Sequence, residues 1–340
     1  MPSNSAAWLI EEKGRPLVVK PNVYTSPGAE EITIKNGALG INPMDWMIQL
    51  LGSDLFDWIE YPFIGGSDVA GEVVEVGSAV TRFKVGDRVV GHAFGFSNRN
   101  NHECAFQNYT VLQDHMVSPI PDRLSYESAS VIPLGLSTAA CGLFQKDYLG
   151  LQYPSTTPQP TGKTLLVWAG SSSVGGSAIQ LAVAAGYEVI TTASPANFDY
   201  VKKLGASQVF DYKSKTITED LLGAFKGRKC AGALALLPGS DAVCLEVVSK
   251  SDGDKFVAMC LPPPWEVPAG VEAKFVFGGT LKDNEVGSII YEQFLPKALA
   301  EGKFMAAPEP LVVGKGLEFV QAAVDTHMKG VSAKKVVVSL

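Results

Sequence analysis

The residues Gly170-Ser171-Ser172-Ser173-Val174-Gly175 stand where one apolar run, KTLLVWAG, gives way to another, VGGSAIQLAVAAG. The first run has the length and composition of a strand, and the second has the length of a helix. A tight turn of small residues that opens a helix offers free backbone N–H groups and the positive end of the helix dipole. That combination suits a pyrophosphate. The strict G-x-G-x-x-G spacing falls on Gly170, Ser172 and Gly175, so serine replaces the middle glycine. A strand before the turn, a helix after it and a further strand, YEVITTAS, on schedule favour a dinucleotide site. A turn that merely joins strand to helix would share the composition.

The tip of that further strand reads TTASPANFDY. An NAD enzyme places a carboxylate here to hold the adenosine ribose. The nearest acid on the strand, Glu188, stands at its start, while Ser194 and Asn197 are neutral donors and Tyr212 ends the next strand. Without a carboxylate to repel it, a 2′-phosphate is tolerated, so NADPH is favoured over NADH. Lys202 and Lys203 lie one helix on and fit a solvated helix face equally well.

Metal chemistry has less support. The four histidines are His92, His102, His115 and His327, and only His102-Glu103-Cys104, with His92 and His115 nearby in sequence, forms a cluster. It has neither a structural nor a catalytic zinc spacing, and the expectation is that no metal is bound. The cysteines, at 104, 141, 230, 244 and 260, are odd in number and widely spaced, which suits free thiols in a reducing compartment.

The elements that must position these residues fall into two patterns. The first ~130 residues alternate short valine-rich runs with Gly/Pro/Asp turns, as a mostly antiparallel, barrel-like region does. After Pro121 comes a helix with a break at Pro133-Leu134-Gly135, then from about Thr164 strands alternating with helices, the signature of a doubly wound parallel sheet. Beyond Thr280 a helix over about Glu285–Glu301, the run PEPLVVG, another helix and a last strand KKVVVSL are too few for a third domain. They are expected to rejoin the N-terminal region. The implied division is 1–130, 131–281 and 282–340.

Bulk composition excludes several classes. With 46% hydrophobic and 19% charged residues in 340, the chain reads as globular rather than disordered. A net charge of −7 argues against a nucleic acid partner, which needs clustered Lys and Arg. The N-terminus lacks the basic start and apolar region of a signal peptide. The uncharged stretch 164–187 carries glycines, a serine run and Gln180, so it reads as buried strand, turn and helix rather than a membrane span. The cytosol is the expected compartment.

INPMDW (41–46), GGSDVAGEVVEVGSAVTRFKVGDRVVG (65–91), IPLGLSTAA (132–140), AGSSSVGGSAIQLA (169–182) and KKLGASQVFDY (202–212) occur in order along nearly the whole chain. Together they resemble the zinc-independent branch of the medium-chain dehydrogenase/reductase superfamily, the quinone oxidoreductases and enoyl reductases. SPANFDYVKKLGA and the tail KKVVV look nearest to fungal stand-alone, trans-acting enoyl reductases. The resemblance implies an α/β protein with a GroES-like, mostly antiparallel β catalytic domain and a Rossmann domain, with NADPH in the cleft they form. It assigns the pyrophosphate turn to Ser171, Ser172, Ser173, Val174 and Gly175, and 2′-phosphate contacts to Ser194 and Tyr212. It places Thr138 and Phe277-Gly278 beside the nicotinamide and Asn42 near its ribose. Zinc alcohol dehydrogenases carry a histidine–glutamate pair where this chain has Ser67-Asp68, and their ligand cysteine would fall within INPMDW, which has none. Two further departures are Met47 and Ala196, where relatives commonly carry lysine; the second weakens the expected hold on a 2′-phosphate.

An acceptor conjugated to a carbonyl needs less help from a Lewis acid, because hydride added at its β-carbon leaves an enolate delocalised onto oxygen. The expectation is therefore metal-free hydride transfer from NADPH to the C=C bond of an enone, enal or enoyl thioester, free or tethered to a carrier. Tyr61, Asn42, Asp45 and Thr138 are the candidates to bind the oxygen or donate the proton; Tyr61 is also a natural core-packing aromatic. Asp68 reads as structural, held by neighbouring backbone N–H groups. Trp46, Phe56 and Trp58 either line a flat apolar pocket or simply pack. The alternatives are a quinone reductase on the same scaffold and a low-turnover NADPH-binding or auxiliary protein of a polyketide pathway. A homodimer or a synthase partner fits either.

Overall fold

The computed structural model describes residues 2–264 and 266–340. In chain order the strands are β1 (Asn4–Leu9), β2 (Val18–Asn22), β3 (Glu31–Gly40), β4 (Phe63–Ile64), β5 (Asp68–Val76), β6 (Arg88–His92), β7 (Tyr109–Gln113) and β8 (Val117–Pro119). They continue as β9 (Lys163–Val167), β10 (Glu188–Ala193), β11 (Gln208–Asp211), β12 (Lys229–Ala235), β13 (Phe256–Met259), β14 (Glu272–Phe275), β15 (Glu309–Lys315) and β16 (Lys334–Ser339). The helices are α1 (Pro43–Leu51), α2 (Ser53–Phe56), α3 (Gly95–Asn98), α4 (Tyr126–Ala129), α5 (Pro133–Phe144), α6 (Ser173–Ala184) and α7 (Phe198–Lys203). After these come α8 (Ile217–Phe225), α9 (Ser240–Lys250), α10 (Glu285–Ser288), α11 (Leu295–Ala300) and α12 (Val320–Met328).

The chain forms two compact units, one running to Leu134 and resuming at Ala306–Leu340, the other spanning Gly135–Met305. In the first, a seven-stranded sheet has the order β15-β16-β3-β5-β6-β8, with β7 also on β3, and a small sheet has the order β2-β1-β4. All pairings are antiparallel except β15 with β16, which α12 joins as a crossover. β3 and β5 explain themselves: Ile32, Ile34, Leu39, Val69 and Val73 are fully buried, and their core also takes Val336 and Val338 from the C-terminal strand. Burying those two valines is what brings the tail back to this unit.

The second unit is a six-stranded sheet in the order β11-β10-β9-β12-β13-β14, parallel throughout. Numbered from its own first strand this is 3-2-1-4-5-6, the doubly wound dinucleotide-binding order. Strand β9 is sealed on both faces, so KTLLV is a continuous apolar run rather than an alternating one.

Four expectations are corrected. The division falls at 134/135 and 305/306, not at 130/131 and 281/282. Residues 285–300 stay with the parallel unit because Ile290, Tyr291, Phe294, Leu295 and Leu299 are buried, and the Tyr291 hydroxyl meets Ser137 Oγ at 2.9 Å. The segment is also not one regular helix: a π-helical turn over Ile289–Phe294 separates α10 from α11. The break expected at Pro133-Leu134-Gly135 lies just before it, and Pro133 begins α5, where its missing N–H costs nothing. Helix α9 was not anticipated from the sequence. The stretch Tyr126–Phe144 is long and apolar enough to cross a membrane, but 83% of it is buried within the protein, as in a core helix.

Candidate cofactor and active site

The phosphate turn is built around Ser172. Its Oγ accepts the Gly175 N–H at 3.0 Å and donates to the Ala169 carbonyl at 2.8 Å, making it the N-cap of α6. The serine in place of the middle glycine thus has a task that glycine could not perform. Ala169 sits at φ +60°, a left-handed conformation that a non-glycine residue adopts at a cost. A Cβ on Gly175 would stand 2.2 Å from the Ala169 carbonyl oxygen and 2.8 Å from Gly170 Cα, so only glycine lets α6 start this close to β9. Ser173 and Val174 open the helix and have no intrahelical acceptor for their N–H groups. These features fit a dinucleotide pyrophosphate.

Most of the expected cofactor residues lie in the parallel unit. A Cβ on Gly135 would meet Ser173 backbone atoms at 3.0 Å, which lays the first turn of α5 against the first residue of α6. One on Gly278 would stand 2.5 Å from Thr138 Oγ1, so Thr138 and Phe277-Gly278 are neighbours although far apart in sequence. Thr138 is partly exposed and its hydroxyl makes no hydrogen bond to another described residue. At the strand tips, Asn197 Nδ2 donates to Ser194 Oγ at 3.0 Å, and Tyr212 is 41% exposed. Glu188 is engaged at the opposite end of β10 by Thr164 and by Arg228, whose Nη1 is 3.1 Å away. Lys202 and Lys203 close α7, where cations complement the helix dipole, and so fit the solvated-face reading.

The antiparallel unit holds a different cluster. Asp68, fully buried, accepts the Leu134 N–H on Oδ1 at 2.6 Å and the Asn42 amide on Oδ2 at 2.9 Å. Lys335, 2% exposed, sets its ammonium 2.7 Å from Asp68 Oδ2 and 2.6 Å from Asn42 Oδ1. Asn42 therefore spends its side chain inside this cluster. Asp45 closes a capping box on α1, its Oδ2 accepting the Asn42 N–H at 2.7 Å and its Oδ1 the Gly66 N–H at 3.2 Å. Burial, aided by Asp68, pushes its carboxyl up to about 7, against the pull of those N–H groups and Lys335. Burial likewise pushes the His92 imidazole down to about 4, opposed by Asp68.

Lys335 is the residue that sequence reasoning missed. Its signal was the strand KKVVV, in which one of two adjacent lysines must point to the buried face. A lysine ammonium already stands at Asp68, where a divalent cation would be repelled, so the Ser67-Asp68 position does not fit zinc. The other candidate cluster does not fit either: both Glu103 oxygens are held by the Asn98 and Asn100 amides, and burial raises the Cys104 thiol. Among the described residues no three His, Cys, Asp or Glu converge as a metal group. The five cysteines are free thiols.

Tyr61 stands apart from this cluster. Its hydroxyl is enclosed with no hydrogen-bond partner, and the charges it senses are Glu12 and Lys13. In this enclosed position the phenol packs as a core aromatic, with no described residue placed to relay a proton to it. Tyr61→Phe is expected to keep turnover and to raise stability by about 1 kcal/mol, because a buried, unsatisfied hydroxyl is removed; turnover and thermal unfolding of the variant check this. The aromatic set packs on itself: Trp58 and Phe56 meet Phe96 edge-on, and Trp46 Nε1 donates to His327 Nδ1 at 3.2 Å. Met47 is partly buried against the same core.

Comparison with known proteins agrees with this picture. Residues 28–122 match the alcohol dehydrogenase GroES-like domain family. Dehydrogenase azaJ of Aspergillus niger is 54% identical over the full length of both chains. The trans-enoyl reductase himH of Aspergillus japonicus is 43% identical, over 99% of this chain and 97% of its own. Among solved structures, an alcohol dehydrogenase superfamily protein from Novosphingobium aromaticivorans superposes with a TM-score of 0.80 at 25% identity, over 99% of both chains. With dehydrogenases and trans-enoyl reductases matching end to end, and with the two-unit fold and phosphate turn described above, the chain is an oxidoreductase that belongs to the medium-chain dehydrogenase/reductase superfamily.

Proposed function

We propose that this protein is an NADPH-dependent reductase of conjugated carbon–carbon double bonds, acting on α,β-unsaturated carbonyl compounds or enoyl thioesters without a metal. The observation that carries the reading is the serine-capped opening of α6 beside a strand tip free of carboxylates. The relative named as a trans-enoyl reductase supports the substrate class.

The Ser173 and Val174 N–H groups are suited to hold the pyrophosphate, and Ser194, Asn197 and Tyr212 the 2′-phosphate. Thr138 and Phe277-Gly278 are suited to lie along the nicotinamide. When bound, the cofactor supplies a hydride. Thr138 Oγ1 has a hydroxyl hydrogen to spare for a carbonyl oxygen that gains charge, whereas the Asn42 and Asp45 side chains are committed to the fold around Asp68. Conjugation within the acceptor then delocalises the charge that a Lewis acid would otherwise stabilise, and water or a side chain supplies the proton to the α-carbon.

The test is NADPH oxidation across enals, enones, enoyl thioesters and quinones, with and without a chelator. Turnover of the conjugated carbonyl compounds, unchanged by chelator, is the expected result. Turnover of quinones alone would replace the reading with the quinone reductase alternative, and loss of activity to chelator that zinc restores would overturn the metal-free part.

A further inference from the structure

We infer that Lys213 supplies the cation for the cofactor's 2′-phosphate and so determines the preference for NADPH; this rests on the reading that the protein uses NADPH. Strands β10 and β11 run parallel with Ala193 paired to Asp211, so the next residues, Ser194 and Tyr212, leave adjacent strand tips together. Adjacent strands lie about 4.8 Å apart, which keeps both within reach of a single phosphate. Ser194 and Asn197 bring only neutral groups, already joined to one another, and Ala196 between them brings none.

Tyr212 is 41% exposed, and the Lys213 ammonium lies 5.6 Å from the centre of its ring. A cation held over an aromatic face is confined without being neutralised. Among the described residues Lys213 forms no ion pair with a carboxylate; the neighbouring Asp211 accepts the Lys213 backbone N–H on Oδ1 at 3.0 Å. Of the other cations nearby in sequence, Lys215 is exposed in the same turn but lies two residues beyond the Lys213 held by the Tyr212 ring, and the rest are placed elsewhere. Lys202 and Lys203 sit at the far end of α7, roughly 9 Å along a six-residue helix from the tip. Arg228 is paired with Glu188 at the opposite end of β10.

The turn therefore presents the Lys213 ammonium next to Tyr212, with Lys215 also exposed two residues further on, near the neutral donors of the β10 tip where NADPH and NADH differ. A dianionic phosphate with hydroxyl, amide and ammonium donors is held by charge-assisted bonds, and the same site offers an NADH ribose no matching gain.

The experiment is direct binding of NADPH and of NADH, followed by nicotinamide fluorescence, to the wild type and to Lys213→Ala, Lys213→Arg and Lys213→Ala/Ala196→Lys. For the wild type we expect tighter binding of NADPH than of NADH. For Lys213→Ala we expect about tenfold weaker NADPH binding, as loss of one charge-assisted contact implies, with NADH binding unchanged. Lys213→Arg should keep the preference, and Ala196→Lys in the alanine variant should restore part of it. A wild-type preference that survives Lys213→Ala would overturn the role of Lys213 while leaving NADPH use intact. Equal weakening of both cofactors would also overturn it. No wild-type preference at all would instead remove the NADPH reading, and this inference with it.

Discussion

Lys335→Met is expected to be the most damaging single change away from the cofactor turn, lowering stability by about 3–5 kcal/mol. Its ammonium is the countercharge of Asp68, and both side chains are all but inaccessible, at 3% and 0% exposure. Removing the lysine leaves a carboxylate in the core that, among the described residues, keeps the Leu134 N–H and the Asn42 amide as its hydrogen-bond partners. Asp68→Asn should cost less, since an amide oxygen can still accept the Leu134 N–H. The double variant should cost less than the sum of its parts, because the interaction is then removed from both ends. Urea unfolding of the two single variants and the double variant measures this coupling; additive costs would show that the pair contributes nothing jointly. Asp68 also accepts the Leu134 N–H in the first turn of α5, so Lys335→Met should loosen the start of that helix as well.

The second large effect is acid lability. In the unfolded chain His92 titrates near 6.5, but in the fold burial holds it neutral down to about 4. The unfolded state therefore takes up this proton first as pH falls. The contribution to stability is fully present above 6.5 and is lost progressively toward 4, reaching about 3 kcal/mol at 1.36 kcal/mol per pKa unit. His327, half-buried beside Trp46 and also lowered to about 4 by desolvation, works in the same direction over the same window. Asp45 works in the opposite sense. Its folded carboxyl titrates near 7 against an ordinary 3.8, so it favours folding at low pH and the benefit disappears as pH rises through 7. Urea midpoints between pH 7.5 and 4.5 should thus fall less steeply for His92→Asn than for the wild type. For Asp45→Asn they should fall more steeply, since the opposing group is gone. Parallel curves for all three proteins would remove both residues as the source of the pH dependence.

The parallel unit and its phosphate turn were legible from the sequence because their signals are local. Strand, turn, helix and next strand follow one another within KTLLVWAGSSSVGGSAIQLAVAAGYEVITTAS, and each piece is specified by its own apolar length and small residues. Ser172 replacing a glycine looked like a defect in the motif, yet the side chain caps the helix that the motif exists to start. The unit boundary was less legible. An apolar helix after Thr280 could pack on either unit, and only the burial of Tyr291 and its neighbours assigns it to the parallel one.

The sequence by itself determined the doubly wound sheet, the turn for a dinucleotide and the carboxylate-free tip beside it, since each depends on residues close together in the chain. It did not determine that Asn42 and Lys335, 293 positions apart, share a buried hydrogen bond beside the capping box that Asp45 closes on Asn42. The physical reason is that burying a charge is costly unless a partner arrives, and which partner arrives depends on which strands pair, not on which residues are near in sequence. Only the closing of β16 onto β3 decided that a lysine would stand beside Asp68.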